Sequence, residues 1–458
     1  MVSRPRALVL SRAAVLATLF VLGWNLRLGL PVVDLAGIRF HYQVHSIRAS
    51  EITAVLAILL FIRARPPGLR RPRGSLATFA ASAFMLAALA AASSLWALHP
   101  GLALLQGAHL AIWVAFAVVV AMVQAPPSSM AATFVLGLLV HVAVGIAQAI
   151  TQGNIGLWWL GELRIRPAPP WSTITDGGWQ FLRVYGLSPH PNVLAGHFAI
   201  GLVLCWGLAF GRRPIERVRV VVTWAALFVA LLLTFSRSGL LGAVVAMTVS
   251  AIWMSRTGVS RSIARLGSGL VVCAAIMIAL FVWTLRSHLP AGSTLIDLLL
   301  RPDGTTERFG LMGTALRLLA DHPLGGVGAR NFSSATRAIT PDQTVLDSVH
   351  NVPMLIGAEL GLAGLVLVGV VVAVLVAVGC RRWSARSMHL WHGPVAGGLA
   401  ALALISLFDH YPWSVPQGGL LGGWLAGWWL TADSKDLHDH VEPPAPPVPP
   451  GPPATHFA

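Results

Sequence analysis

Leu365-Val366-Leu367-Val368-Gly369-Val370-Val371-Val372-Ala373-Val374-Leu375-Val376-Ala377-Val378 contains no polar side chain. It lies within a longer apolar segment, 353–380, whose one charged residue is Glu359. A run of ~20 apolar residues spans a bilayer as a helix, because a helix satisfies its own backbone hydrogen bonds where water is absent. Gly361 and Gly364 are placed to bend this one.

The pattern repeats along the chain. Twelve spans are expected, at 7–25, 44–62, 76–96, 102–123, 130–150, 193–210, 218–235, 239–254, 267–285, 353–380, 388–407 and 415–431. The second and eighth are short or interrupted. Composition agrees: of 458 residues, 56% are hydrophobic and only 11% charged, with a mean hydropathy of +0.73. Soluble domains carry about 25% charged residues. A soluble enzyme, a disordered chain and a nucleic-acid-binding module are thereby excluded. The expected fold is an all-α integral membrane protein. Cys205, Cys273 and Cys380 lie inside or at the end of apolar runs and read as buried small residues, without disulfide or metal spacing. Arg4 and Arg6 precede an apolar stretch from Ala7 that reads as a retained first span, not a removed signal peptide.

The net charge of +15 rests on arginine; Lys435 is the one lysine. The arginines punctuate apolar runs, which reads as topology signal and contact with anionic lipid headgroups. Arg63, Arg65, Arg70, Arg71 and Arg73 follow span two, and Arg212, Arg213, Arg217 and Arg219 follow span six. Arg256, Arg261 and Arg265 follow span eight, and Arg381, Arg382 and Arg386 follow span ten. All fall after even-numbered spans, on the side of the N-terminus, which the positive-inside rule makes cytoplasmic.

The expected organisation is N-terminal spans (1–150), an outer loop (151–192), spans six to nine (193–285), a large outer segment (286–352), the last spans (353–431) and a proline-rich cytoplasmic tail (432–458). The large outer segment has helical periodicity at 310–320, with Leu311, Ala315, Leu318 and Leu319 on one face, and should form a small helical cap. His438 and His440 beside Asp436 and Asp439 read as a solvated tail rather than a metal site.

Polar residues on the outer side are the informative ones. Arg237, in Thr234-Phe235-Ser236-Arg237-Ser238-Gly239, sits directly between two spans. One reading is an arginine snorkelling to the headgroups; the other is an anion site, since guanidinium matches phosphate with a two-pronged donor fork. Arg183 opens the loop Arg183-Val184-Tyr185-Gly186-Leu187-Ser188-Pro189-His190-Pro191-Asn192, with Asn192 as the expected N-cap of the next span. This is either an interfacial anchor loop or a polar ligand site carrying Arg183, Tyr185, His190 and Asn192. His350, followed by Asn351, falls where the large segment re-enters the membrane. It is either a structural histidine or a general base. Glu359, inside an apolar run, is expected to pair with a nearby arginine or histidine. Asp409, His410 and Tyr411 end span eleven on the same side. Two arginines, a histidine and an acid at one leaflet suit a membrane-bound diphosphate. No phosphate-binding glycine loop and no outer Asp-x-Asp pair is present, so neither ATP nor a metal–nucleotide donor is expected.

Four motifs, in order, resemble the O-antigen ligase and O-antigen polymerase superfamily. They are Arg183-x-x-Gly186 leading into Pro191-Asn192; Ser236-Arg237-Ser238-Gly239; Arg308 followed by Ala315-Leu316 and His322-Pro323-Leu324-Gly325-Gly326-Val327-Gly328 with Asn331-Phe332; and His350-Asn351-x9-Gly361-x-x-Gly364. Phe408-Asp409-His410-Tyr411 is similar to the group as well. The sequence departs from the pattern after Arg308, where Phe309, Gly310 and Leu311 stand in place of a nearby tryptophan.

The resemblance implies about twelve transmembrane helices with a periplasmic helical cap, like the C-type membrane glycosyltransferases. It implies inverting, metal-independent and cofactor-free transfer of a glycan from undecaprenyl diphosphate to the hydroxyl of a lipid or glycolipid acceptor, at the periplasmic face of the bacterial inner membrane. Arg183 and Arg237 would contact the donor diphosphate, and His350 would activate the acceptor. Tyr185, His190, Asn192, Ser236, Arg308, Asn351, Asp409 and His410 would line the substrate site. The histidine signature favours a ligase over a polymerase that lengthens the lipid-linked chain. A flippase for the same lipid is the rival from another class, disfavoured because no inverted repeat is visible.

Overall fold

In the computed structural model, residues 4–29, 46–64, 72, 74–168, 171–176, 179–209, 214–256, 305–339, 347–385 and 389–431 are described. The described chain is helical apart from two short antiparallel hairpins, β1 (Arg27–Gly29) with β2 (Ser46–Arg48) and β3 (Thr173–Asp176) with β4 (Trp179–Leu182). The helices are α1 (Arg4–Phe20), α2 (Ala49–Ala64), α3 (Gly74–Ala92), α4 (Pro100–Val123), α5 (Pro127–Thr151), α6 (Pro191–Leu208), α7 (Pro214–Leu233) and α8 (Arg237–Ser255). After them come α9 (Thr305–Asp321), α10 (Phe332–Ile339), α11 (Val352–Ala385), α12 (His392–Ile405), α13 (Tyr411–Ser414) and α14 (Pro416–Thr431).

Helices stand at eleven of the twelve expected spans; the ninth, 267–285, lies outside the described residues, as does the tail with His438 and His440. Among the described residues, six segments are long and apolar enough to cross a membrane: Gly74–Leu95, α4, α5, α6, α8 and α11. The other candidates fall short for visible reasons. Helices α1, α2, α12 and α14 have 17, 16, 14 and 16 residues, and α7 opens with Glu216, Arg217 and Arg219.

Helices α6 and α14 form the centre of the bundle. Nearly every side chain of both is buried. Gly419, Gly423 and Gly427 make a small-residue stripe that lets α14 pack directly on α4. A Cβ at these positions would lie 2.2 Å from the Trp113 ring, 2.7 Å from the Trp113 carbonyl and 2.3 Å from the Ala117 carbonyl. The second half of α11 is the opposite case. Val366, Val370, Val372 and Val376 are exposed, as expected of a helix whose solvent is lipid.

Helix α11 bends at Gly361, where φ is 62° and ψ is −161°. The loop 322–328 crosses the helix there. The Leu362 and Ala363 amides donate to the carbonyls of Pro323 and Leu324, and the Val327 and Gly328 amides donate to those of Ala358 and Glu359. A Cβ on Gly361 would lie 2.4 Å from the Leu324 carbonyl group, and one on Gly326 would lie 2.3 Å from Glu359 backbone. The two glycine motifs are therefore one structural unit. Gly361→Ala combines a left-handed φ with a backbone collision, and should cost about 1–3 kcal/mol. A thermal unfolding midpoint unchanged from wild type would contradict this account of the kink.

Of the expected cap, helices α9 and α10 are described. Leu311, Ala315 and Leu318 are buried as the periodicity requires, and α9 packs on α11. Loop 329–332 is pinned to the α3–α4 link. The His99 amide donates to Asn331 Oδ1 (2.7 Å), and Trp96 Nε1 donates to the Gly326 carbonyl (3.1 Å).

Candidate active site

The loop before α6, the α7–α8 turn, the start of α11 and the link 406–416 meet at one end of the bundle. Their polar side chains form one connected group.

The loop 183–190 is shaped by α5. Gln148 Oε1 accepts from the Tyr185 and Gly186 amides at 3.1 and 2.8 Å, and its Nε2 donates to the Gly186 carbonyl at 3.0 Å. Gly186 has φ +55°, and a Cβ there would meet His141 Nδ1 at 2.9 Å. The motif glycine is needed for that approach.

Arg183 donates from Nε to the Thr234 carbonyl at 2.7 Å and from Nη2 to Asn192 Oδ1. Thr234 lies three residues before Arg237, so the two motif arginines share one corner of the fold. Arg237 is exposed and begins α8, directly after its N-cap Ser236, whose hydroxyl accepts from the Gly239 amide. Gly239 lets α8 approach α6, since a Cβ there would stand 2.5 Å from Ala195 Cβ.

Asn192 is not the N-cap of α6. That position is His190, whose Nδ1 accepts from the Asn192 amide at 3.2 Å, with Pro191 as the first helical residue. The proline fixes the helix start two residues earlier than expected. The Asn192 side chain is freed to bridge, accepting from Arg183 and donating from Nδ2 to Asp409 Oδ2 at 2.7 Å. With Nδ1 used as an acceptor, neutral His190 carries its proton on Nε2, 3.0 Å from Ser172 Oγ. Burial, with the nearby Arg183 charge, pushes the His190 pKa down to about 3. His190 is thus a neutral structural group. Tyr185 is also buried, its hydroxyl accepting from the Ser172 amide at 2.9 Å.

Asp409 is buried. Burial opposes its ionisation, but His410, His350, His190 and the Asn192 hydrogen bond outweigh this and hold its carboxyl below the usual range. His350 and His410 pack edge to face at 5.1 Å. Asp347 reaches both, with Oδ2 3.7 Å from His350 Nε2 and Oδ1 3.9 Å from His410 Nε2. Burial first, then the neighbouring His410 ring, lowers the His350 pKa, and Arg308 at the start of α9 acts in the same direction. The neutral, proton-accepting ring is the favoured form. Asn351 caps α11, accepting from the Met354 amide at 2.9 Å and donating to the Leu407 carbonyl at 3.1 Å.

Glu359 accepts from Trp413 Nε1 at 3.0 Å and from the Arg330 and Phe332 amides. Arg330, buried with φ +58°, donates to the Ser414 carbonyl at 3.1 Å. The expectation of an arginine beside Glu359 was right, and the indole was unforeseen. Sequence reading also missed Asp347, Ser172, Arg330 and Ser414. Asp347 carried one signal, its i, i+3 spacing from His350.

The group combines cationic arginines, a charged carboxylate and a neutral imidazole at the mouth of an apolar bundle. Residues 221–369 match the family model described as O-antigen ligase. That stretch of the chain is similar to the O-antigen ligase family. The match includes Ser236-Arg237-Ser238-Gly239, the Arg308 to Phe332 segment and His350 to Gly364, whereas Arg183 and Asp409 lie outside it. It covers roughly a third of the chain and supports an O-antigen ligase-type, glycosyltransferase-like membrane enzyme. No curated protein matches the chain.

Proposed function

We propose that the chain moves a glycan from undecaprenyl diphosphate to an acceptor hydroxyl at the outer face of the inner membrane, without a metal ion. The observation that carries this is the joined set Arg183–Asn192–Asp409 beside Arg237 and His350. A diphosphate is already a good leaving group, so positioning and charge neutralisation are the main demands on the protein. Arg183 and the helix-starting Arg237 supply the fixed positive charge, reinforced by the N-terminal dipole of α8. His350 takes the proton of the attacking hydroxyl, and the Asp347 carboxylate 3.7 Å away favours the imidazolium that forms. The attack opens from the face opposite the leaving diphosphate and inverts the anomeric carbon. Asp409 sets Arg183 through Asn192, which makes Asp409 a positioning residue.

The reading is tested by native mass spectrometry of the purified protein with undecaprenyl diphosphate and undecaprenyl monophosphate. Preferential retention of the diphosphate, lost in Arg237→Ala, is expected. Equal retention of both lipids would contradict the diphosphate site.

The outward orientation is supported by how the helix ends meet. Arg12 Nε donates to the Val123 carbonyl at 2.9 Å, Arg381 reaches Ser75, and Arg256 lies 3.9 Å over the Trp383 ring. Val123, Ser75, Arg381, Arg256 and Trp383 stand at or beside helix ends that the arginine pattern places in the cytoplasm, and Arg12 lies in the half of α1 nearer that side. Gly313 is exposed on α9, with open space around it. Gly313→Cys should react with a membrane-impermeant maleimide added to spheroplasts. Reaction only after lysis would reverse the orientation.

A further inference from the structure

Asp347, His350 and His410 each offer one ligand atom, and these atoms lie within 4.8 Å of one another. The Asp347–His350 and Asp347–His410 separations of 3.7 and 3.9 Å are too long for hydrogen bonds. A single ion with bonds of ~2.0–2.2 Å can bridge such gaps after a small rotation of the rings.

The proton positions fit a ligand set. Ser414 Oγ stands 2.6 Å from His410 Nδ1 and 3.0 Å from the His410 carbonyl; with its hydrogen on the carbonyl, it accepts from Nδ1–H. In that tautomer the His410 lone pair is on Nε2, the atom that faces Asp347 Oδ1. This is an outer hydrogen bond of the kind that fixes the tautomer of metal-bound histidines. Two acceptors then face each other, an arrangement that a cation between them would satisfy. His350 Nδ1 is buried without a hydrogen-bond partner among the described residues. Asp347 keeps 32% of its side chain exposed, which leaves an entry path. Two imidazoles and one carboxylate suit zinc-type ions rather than magnesium or calcium, which prefer oxygen.

We propose that Asp347, His350 and His410 bind a first-row transition-metal ion of the zinc type, and that the bound ion shuts off transfer by occupying His350. The binding claim stands on geometry alone; the inhibitory claim rests on the proposed role of His350 as base.

The test uses the full-length protein in detergent, treated with EDTA and desalted. Cobalt(II) is followed by its visible absorption and zinc(II) by calorimetry, on wild type, His410→Gln and Asp347→Asn. Wild type should bind one ion saturably, and each variant should bind at least about tenfold more weakly. No saturable cobalt binding by wild type, or unchanged binding in both variants, would overturn the site. Zinc at saturation should abolish transfer, with EDTA restoring it. Zinc binding with transfer unaffected would overturn the inhibitory claim and leave the site standing. A protein inactive with every donor would instead count against the transferase reading, while cobalt binding is read independently.

Discussion

Arg183→Ala is expected to lower glycan transfer by at least ~10²-fold, the loss typical when one fixed donor to developing charge is removed. The guanidinium is held by the Thr234 carbonyl and by Asn192, which Asp409 holds in turn. The donor is thus already oriented before substrate arrives, which is what makes a buried-edge cation more effective than a mobile one. The substitution also removes the hydrogen bonds to Thr234 and Asn192, so some stability should be lost, and membrane yield and thermal midpoint must be measured beside activity. Arg237→Lys separates charge from geometry. An ammonium keeps the charge but lacks the two-pronged fork, so transfer should still fall severely. Full activity in Arg237→Lys would show that charge alone suffices.

His350→Ala should lower turnover by ~10²–10⁴-fold, the usual contribution of a general base, with little change in donor affinity. A base acts on the attacking hydroxyl, not on the lipid diphosphate. Single-turnover rates and donor retention, measured together, separate the two effects. If donor retention fell while the chemical step survived, His350 would be a diphosphate contact, and Asp409, His410 or His190 would be the next candidates. Of these, His190 is the weakest, because both ring nitrogens are already engaged by Asn192 and Ser172.

Much of this was legible in the sequence, because lipid imposes a simple code. Apolar runs placed helices at eleven of the twelve expected positions, and the Gly361 bend followed from its place in such a run. The polar residues gathered because charge is rare here and is tolerated only where partners or water meet it. Their individual roles were less legible. Tyr185 and Ser236 each hold a backbone amide, and the Asn192 side chain bridges rather than caps, since these contacts depend on which partner a loop presents. Asp347 and Ser414 lie only three and four residues from His350 and His410, but that spacing alone does not mark them as partners, and Ser172 reaches His190 from the far side of the β3–β4 hairpin. The buried pair Glu51 and His109, 3.4 Å apart, with Arg330 Nη1 at 3.5 Å from the same ring, was likewise invisible, because its members lie far apart in sequence.

The central claim is transfer from a lipid diphosphate to a separate acceptor. It is tested most directly by incubating the purified protein with an undecaprenyl-diphosphate-linked glycan and candidate lipid acceptors in EDTA, and separating the products. The account predicts glycan on the acceptor, undecaprenyl diphosphate released, and undiminished turnover in the chelator. Glycan lengthening on undecaprenyl diphosphate with the acceptor untouched would contradict it and identify a polymerase.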